Sequence, residues 1–293
     1  MLTRKSKLFL TKTVSLFSVV RGYNIWVVAL AQYLSSIFIL AINKRALDVL
    51  LDWRLFLIVS ASSLTIASGY IINNFYDTKK DLINRPRKAM LDRLVSQGTK
   101  LKVYFSINLF VVFLASFISW KAILFFSSFI FIIWYYSHKL KKYPIIGNLT
   151  AAFLAVLPFF GVLMYYKNFY DVIFAHATFL YLLILLREFV KDLENIEGDL
   201  VADYKTIPVL YGEVAAKYTI TVLIILTIIP VYFLIDVYDV GYMDVYFYIS
   251  YIRLNRVERC CLTFPTILIS VRTPSTLPFS AIFTQPLENC III

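Results

Sequence analysis

Cysteine is almost missing from this 293-residue chain. The three present, Cys260, Cys261 and Cys290, all fall in the last 34 residues and form neither a metal-ligand spacing nor a disulfide framework. Charged residues make up only 16% of the sequence, against about 25% in an average soluble domain. No Gly/Ser linker and no tandem short repeat divides the chain into separate soluble domains. Lysine disappears after Lys217, and from about residue 253 no apolar run reaches spanning length.

What fills the chain is apolar. Hydrophobic residues make up 60% and aromatic ones 17%, where an average soluble domain is about 45 to 50% apolar. A membrane-spanning helix needs about 20 mostly apolar residues. Runs of that character lie at about 16–42, 55–75, 103–119, 122–137, 144–166, 171–186, 218–235 and, more weakly, 240–252. The first is too long for a cleaved signal peptide, whose apolar core is short and ends in a small-residue cleavage site. The expectation is an all-α membrane protein, a bundle of 8–9 transmembrane helices. Residues 1–252 read as one membrane domain and 253–293 as an atypical C-terminal tail, into which Pro265, Pro274, Pro278 and Pro286 crowd and in which a final helix is missing or degraded.

The formal charge of +11 invites a nucleic-acid reading, but its placement excludes one. With the N-terminus in the cytoplasm, inside segments carry 22 basic residues and outside segments 5: Lys44, Arg45, Arg54, Lys121 and Lys167. That asymmetry is the positive-inside rule, so topology accounts for the basic balance.

Two inside connections, 73–102 and 187–217, are long and acidic as well as basic. In the first, Asn73, Asp77 and Asp81 stand at i, i+4 and i+8, which stacks them on one face if the helix continues. In the second, Asp192, Asn195 and Asp199 fall at i, i+3 and i+7, with Arg187 and Lys191 four apart beside them. A carboxylate at the hydrocarbon centre costs about 2.5 to 3.5 kcal/mol on insertion scales, so these groups belong at the interface or in a polar cavity. One such stripe alone reads as solvated loop charge; two at helical spacing on the same side point to a shared ligand. Carboxylate and amide oxygens are ligands that Mg²⁺ accepts, usually one or two of them together with substrate phosphates. A bare anionic ligand about 4 Å from one carboxylate would meet roughly 4 kcal/mol of repulsion at an effective dielectric near 20.

These motifs resemble the paired aspartate motifs of UbiA-type intramembrane prenyltransferases. The family's N-D-x-x-D-x-x-x-D is matched by Asn73, Asn74, Asp77 and Asp81, and its D-x-x-N-R-P by Asp81-Leu82-Ile83-Asn84-Arg85-Pro86. The stretch Arg187 to Asp199 is similar to K-D-x-x-D-x-x-G-D and is followed by Thr206-Ile207-Pro208. The Tyr136 to Lys142 loop with Gly147-Asn148, and Arg21 with Asn24, are similar to further family signatures; together the likeness covers residues of about 16–215. The resemblance implies that Asp77, Asp81, Asp192 and Asp199 are catalytic and hold Mg²⁺, with Asn73 and Asn195 as neutral helpers. It implies that Lys191, Arg85, Lys141 and Tyr136 contact diphosphate, and that Arg21 and Asn24 bind substrate. Asn74 and Asn195 depart from the pattern, standing where family members commonly carry Asp. Lys88, Lys139 and Lys142 read as positive-inside anchors. Phe153, Phe159 and Phe160 either flank a prenyl chain or face lipid, and His176 reads as an interior residue.

The implied function is magnesium-dependent prenyl transfer from an allylic prenyl diphosphate to a lipophilic acceptor in the membrane. The Asp81 to Pro86 string leans toward geranylgeranylglyceryl phosphate; the alternatives are an aromatic quinone precursor or a chlorophyll-type acceptor. A transporter, which would show broken helices and a site near the midplane, and an inactive family relative are the rival classes. The expected partners are prenyl diphosphate, a lipophilic acceptor and membrane lipids, with no nucleic acid. The expected location is the plasma (inner) membrane of a prokaryote, with the N-terminus and the active site on the cytoplasmic side.

Overall fold

In lipid, backbone N–H and C=O groups find partners only within the chain, so long apolar runs fold as helices. A computed structural model describes residues 4–41, 44–238 and 249, and all regular structure among them is helical. In chain order these are α1 (Arg4–Val20), α2 (Gly22–Ser35, extended by a π turn over Ser36–Leu40), α3 (Ala46–Leu50), α4 (Trp53–Tyr76), α5 (Thr78–Asn84) and α6 (Pro86–Asp92). There follow α7 (Gln97–Ser116), α8 (Trp120–His138), a 3-10 turn (Leu140–Lys142), α9 (Ile146–Tyr166), α10 (Asp171–Glu194), α11 (Ile196–Val201) and α12 (Ile207–Tyr232, extended by a π turn over Phe233–Val237). Seven of the described helices, those built on α2, α4, α7, α8, α9, α10 and α12, are long and apolar enough to cross a membrane. The expected all-α membrane bundle is therefore the observed one. The weak eighth span, 240–252, and the tail, 253–293, lie outside the described residues except for Ile249.

The first apolar run, 16–42, is not one helix. Arg21 adopts a left-handed conformation (φ 51, ψ 54), so α1 turns off and the spanning segment starts at Gly22. A Cβ at Gly22 would displace the ring of Phe17, which packs over this corner. The sixth span also differs, continuing to Glu194 and so carrying Lys191 and Asp192 on the spanning helix itself. In α12 the backbone breaks at Gly212 (φ 82, ψ 169), a conformation glycine adopts at no steric cost.

The most buried of the seven spans is α4, packed among α2, α7, α8 and α9. Its inward residues Ala61, Ser62, Thr65 and Ser68 are small and buried, which lets neighbouring helices approach closely. Thr65 and Ser68 donate their hydroxyls to the carbonyls of Ala61 and Thr65 at 2.8 Å each. Across α2 and α9, the buried Gln32 amide donates to the Pro158 carbonyl at 2.9 Å. A second core joins α10 to α12 through Leu185, Leu186, Phe189, Ile220 and Ile224. Phe159 and Phe160 pack against the main core, whereas Phe153 is 43% exposed on the outer surface.

Candidate active site

The first acidic arm grows out of α4. That helix ends at Tyr76 and Asp77 forms a joint (φ −88, ψ 7) before α5. The Asp77 amide still donates to the Asn73 carbonyl and the Asp81 amide to the Asp77 carbonyl, both at 2.9 Å. The four-residue step survives the joint. Arg85 (φ −142, ψ 65) ends α5, and Pro86 opens α6, a position where its missing N–H is harmless. The second arm repeats the plan: α10 ends at Glu194, Asn195 is the joint (φ −107, ψ 17), and the Asp199 amide donates to the Asn195 carbonyl at 2.9 Å.

The two arms are clasped. The Gly198 amide donates to the Asn84 carboxamide oxygen at 3.1 Å, and a Cβ at Gly198 would collide with that carboxamide. Asp77 is buried and accepts from the Lys141 ammonium at 2.5 Å and the Tyr204 hydroxyl at 2.6 Å. Lys141 also donates to the Asn73 amide oxygen at 3.1 Å. Asp199 is fully buried and ion-paired with Lys80. Asp192 accepts from the Asn148 amide at 2.8 Å. The α9 entry that delivers Asn148 is tight: Ile145 has φ 59, which β-branched residues rarely adopt, and a Cβ at Gly147 would meet the Leu140 carbonyl at 3.2 Å.

Burial, and then the neighbouring Asp77 charge, push the Asp81 carboxyl above its ordinary pKa, with Lys88, Arg21 and Arg85 opposing. Asp199 is also raised by burial, opposed by Lys80. Burial and Asp77 raise the Tyr204 hydroxyl, so it stays a donor. Lys88 is lowered by burial and then by Arg21. The Lys80 and Lys141 ammonium groups lie 4.7 Å and 5.8 Å from the Tyr204 ring centroid, a spacing at which the ring face attracts cations.

Most of the expected residues converge. Tyr136 lies within electrostatic reach of Asp77, Asp192, Lys191 and Glu188, between the arms. Arg21 sits 5.3 Å over the Tyr70 ring, and Asn24 donates to the Tyr70 hydroxyl at 3.3 Å. Lys191 is engaged by Glu188 at 2.6 Å, and Arg85 is exposed at its helix joint. The Asn195 amide nitrogen donates to the Lys191 carbonyl at 2.6 Å, which leaves its oxygen as the group able to face a ligand.

Asn74 points elsewhere. Its amide nitrogen donates to Asp92 at 3.1 Å, its oxygen accepts from the buried Lys100 at 2.8 Å, and Ser18 donates to the other Asp92 oxygen at 3.0 Å. A carboxylate therefore stands beside position 74 after all, supplied by α6. Lys88, read as an anchor, is half-buried and interacts with Asp81 and Asp92. Reading the sequence also passed over Lys80, Asn148, Glu188, Tyr204 and Asp92 as site residues. Lys80 sits at i+3 from Asp77, a signal available from spacing; Tyr204 and Asp92 carried none.

Among the described residues no group of three or more His, Cys, Asp or Glu forms a metal cluster. Each arm instead offers two carboxylates and an amide oxygen, an all-oxygen donor set that fits the habit of Mg²⁺ of taking one or two carboxylates plus substrate phosphates.

Residues 25–255 match the UbiA prenyltransferase family. Over 227 residues the chain is 29% identical to the digeranylgeranylglyceryl phosphate synthase of Methanobrevibacter smithii, covering 72% of this chain and 76% of that protein. Over 167 residues it is 35% identical to the synthase of the same name from Thermococcus gammatolerans, covering 56% of this chain and 59% of that protein. The fold is similar to the structure of a UbiA homolog from Archaeoglobus fulgidus bound to GPP and Mg²⁺, with a TM-score of 0.64, 17% identity and 91% of each chain covered.

Proposed function

The chain belongs to the UbiA prenyltransferase family, and from that premise we propose that it transfers a prenyl group from an allylic prenyl diphosphate to geranylgeranylglyceryl phosphate. It is an integral membrane enzyme. The observation that carries the reading is the clasp between the two acidic arms, which sets two carboxylate pairs and the cations Lys80 and Lys141 at one end of the bundle. The names of the relatives from Methanobrevibacter smithii and Thermococcus gammatolerans support the lipid acceptor. The excess of basic residues on this side supports a cytoplasmic face.

Asp77 and Asp81 on one arm, and Asp192 and Asp199 on the other, would hold Mg²⁺. Bound there, the metal supplies Lewis-acid stabilisation of charge on the departing diphosphate. Lys80 and Lys141 are preorganised donors, each held in place by a carboxylate until phosphate oxygens arrive. Tyr204 orients Asp77, and Asn148 orients Asp192. The allylic C–O bond breaks with its electron pair leaving on diphosphate, and the acceptor hydroxyl oxygen forms the new C–O bond as it loses its proton to the departing diphosphate. The test offers purified protein geranylgeranyl diphosphate together with geranylgeranylglyceryl phosphate or an aromatic quinone precursor, with products read by mass spectrometry. The lipid diether is the expected product; an exclusively aromatic product would overturn the acceptor assignment.

A further inference from the structure

The end of the bundle opposite the acidic arms carries a second cavity. A cavity of about 410 Å³ lies between the start of α4, the start of α8 and the end of α9, within the range of about 300 to 1,000 Å³ typical of ligand pockets. It is at the other end of α4 from Asp77, and α4 is about 36 Å long at 1.5 Å per residue. Arg54, Lys121 and Lys167 line it. These are three of the five basic residues on the outside segments, so the side of the protein poorest in cations concentrates most of them at one opening.

None of the three pairs with a carboxylate among the described residues. The acidic group nearby, Asp52, is already engaged: one oxygen accepts the Arg54 and Leu55 amides at 3.0 and 3.4 Å, and the other accepts the Tyr165 hydroxyl at 2.7 Å. It caps α4 and keeps its negative charge, which offsets one of the three positive charges at the opening. The rest of the lining is apolar, with Ile118, Phe125 and Met164 keeping exposed surface and Ile58 and Phe126 buried behind it. Gly161 lets α9 approach Phe125 of α8 closely, since a Cβ there would meet the Phe125 ring at 3.2 Å. Trp53 and Trp120, both exposed, open α4 and α8 beside the mouth, with Arg54 5.4 Å and Lys121 5.9 Å from their ring centroids. Tryptophan at helix ends marks the level of lipid headgroups.

We propose that this cavity binds one anionic phospholipid of the outer leaflet, its phosphate held by Arg54, Lys121 and Lys167 and the start of one chain lying against Phe125 and Met164. A neutral or cationic amphiphile would leave the net positive charge of the opening uncompensated, and a free phosphate would leave the apolar part unfilled. Each basic residue near a membrane surface contributes about a five-fold preference for an anionic lipid, the equivalent of about 1 kcal/mol. With Asp52 offsetting one of the three, the net preference is about 25-fold.

Native mass spectrometry of the full chain, titrated with phosphatidylglycerol or phosphatidylcholine, tests this. The wild type should retain one phosphatidylglycerol about 25-fold more tightly than phosphatidylcholine, and inorganic phosphate should not displace it. Replacing Arg54, Lys121 and Lys167 together by Ala should erase that preference. Gly161→Leu, which leaves the cations in place and fills the apolar part, should weaken retention of phosphatidylglycerol at least ten-fold. Unchanged preference in the triple variant would overturn the proposal. So would displacement by inorganic phosphate with Gly161→Leu unaffected, which would mark a bare anion site.

Discussion

Asn84 and Gly198 lie 114 residues apart in sequence, yet a 3.1 Å hydrogen bond from the Gly198 amide to the Asn84 carboxamide joins the two acidic arms. Gly198→Ala would push the carboxamide away and break the same bond that Asn84→Ala removes. Each variant should lower prenyl transfer at least ten-fold while the protein still inserts into membranes. Because both act on one contact, the double variant should be no worse than the more damaged single one. Additive losses in a double-mutant cycle on transfer rate would show that the two residues act separately.

The Asn74 network yields a second test. Asn74→Asp restores the residue that family members commonly carry, but here it sets a carboxylate against Asp92, whose oxygen now accepts from the Asn74 amide. The single variant should lose thermal stability by roughly 1 to 3 kcal/mol, the penalty of an unsatisfied buried polar group. Asp92→Asn in the same chain exchanges the two groups and should recover most of that loss, with Lys100 again facing one carboxylate. Melting temperatures of the wild type and the two variants, measured at one pH in one detergent, decide it.

Burial and Asp77 raise the Asp81 pKa, so the fold favours the protonated carboxyl. The stability this contributes is complete below the unfolded value of about 3.9 and is lost as pH rises through the folded one. At pH 7, with metal chelated, Asp81→Asn should therefore melt at a higher temperature than the wild type, and the gap should close as pH falls toward 4. With excess Mg²⁺ the order should reverse, because only the wild type gains the full stabilisation of a bound ligand. A wild type that melts higher in chelator at pH 7 would contradict the electrostatic reading of Asp81.

Asn195 supplies a fourth. Its nitrogen holds the Lys191 carbonyl, so its oxygen is the part able to serve a metal. Asn195→Asp should lower the Mg²⁺ concentration needed for half-maximal transfer, and Asn195→Leu should raise it. Unchanged magnesium titrations in both would remove Asn195 from the site.

The acidic stripes were legible in the sequence because helical spacing alone puts Asn73, Asp77 and Asp81 on one side, and the joints at Asp77 and Asn195 preserve the four-residue hydrogen bonds. The partners of those carboxylates were not. Tyr204 reaches Asp77 across 127 residues and Asn148 reaches Asp192 across 44, and no local period encodes such pairings. The corner at Arg21 was hidden for a different reason: the apolar run continues through it, and only the backbone conformation and the Phe17 contact of Gly22 reveal the turn. Asp92 lay in a stretch that read as a charged loop, and it became visible only when α6 folded against Asn74 and Ser18.

The most direct test of the central claim is diphosphate release by the purified protein supplied with geranylgeranyl diphosphate and geranylgeranylglyceryl phosphate, with and without Mg²⁺. The wild type should release diphosphate only with the metal and in step with diether formation, and Asp77→Ala should fall at least a hundred-fold while inserting normally. Equal release in chelator, or wild-type turnover by Asp77→Ala, would contradict the assignment of the two acidic arms as the site of prenyl transfer.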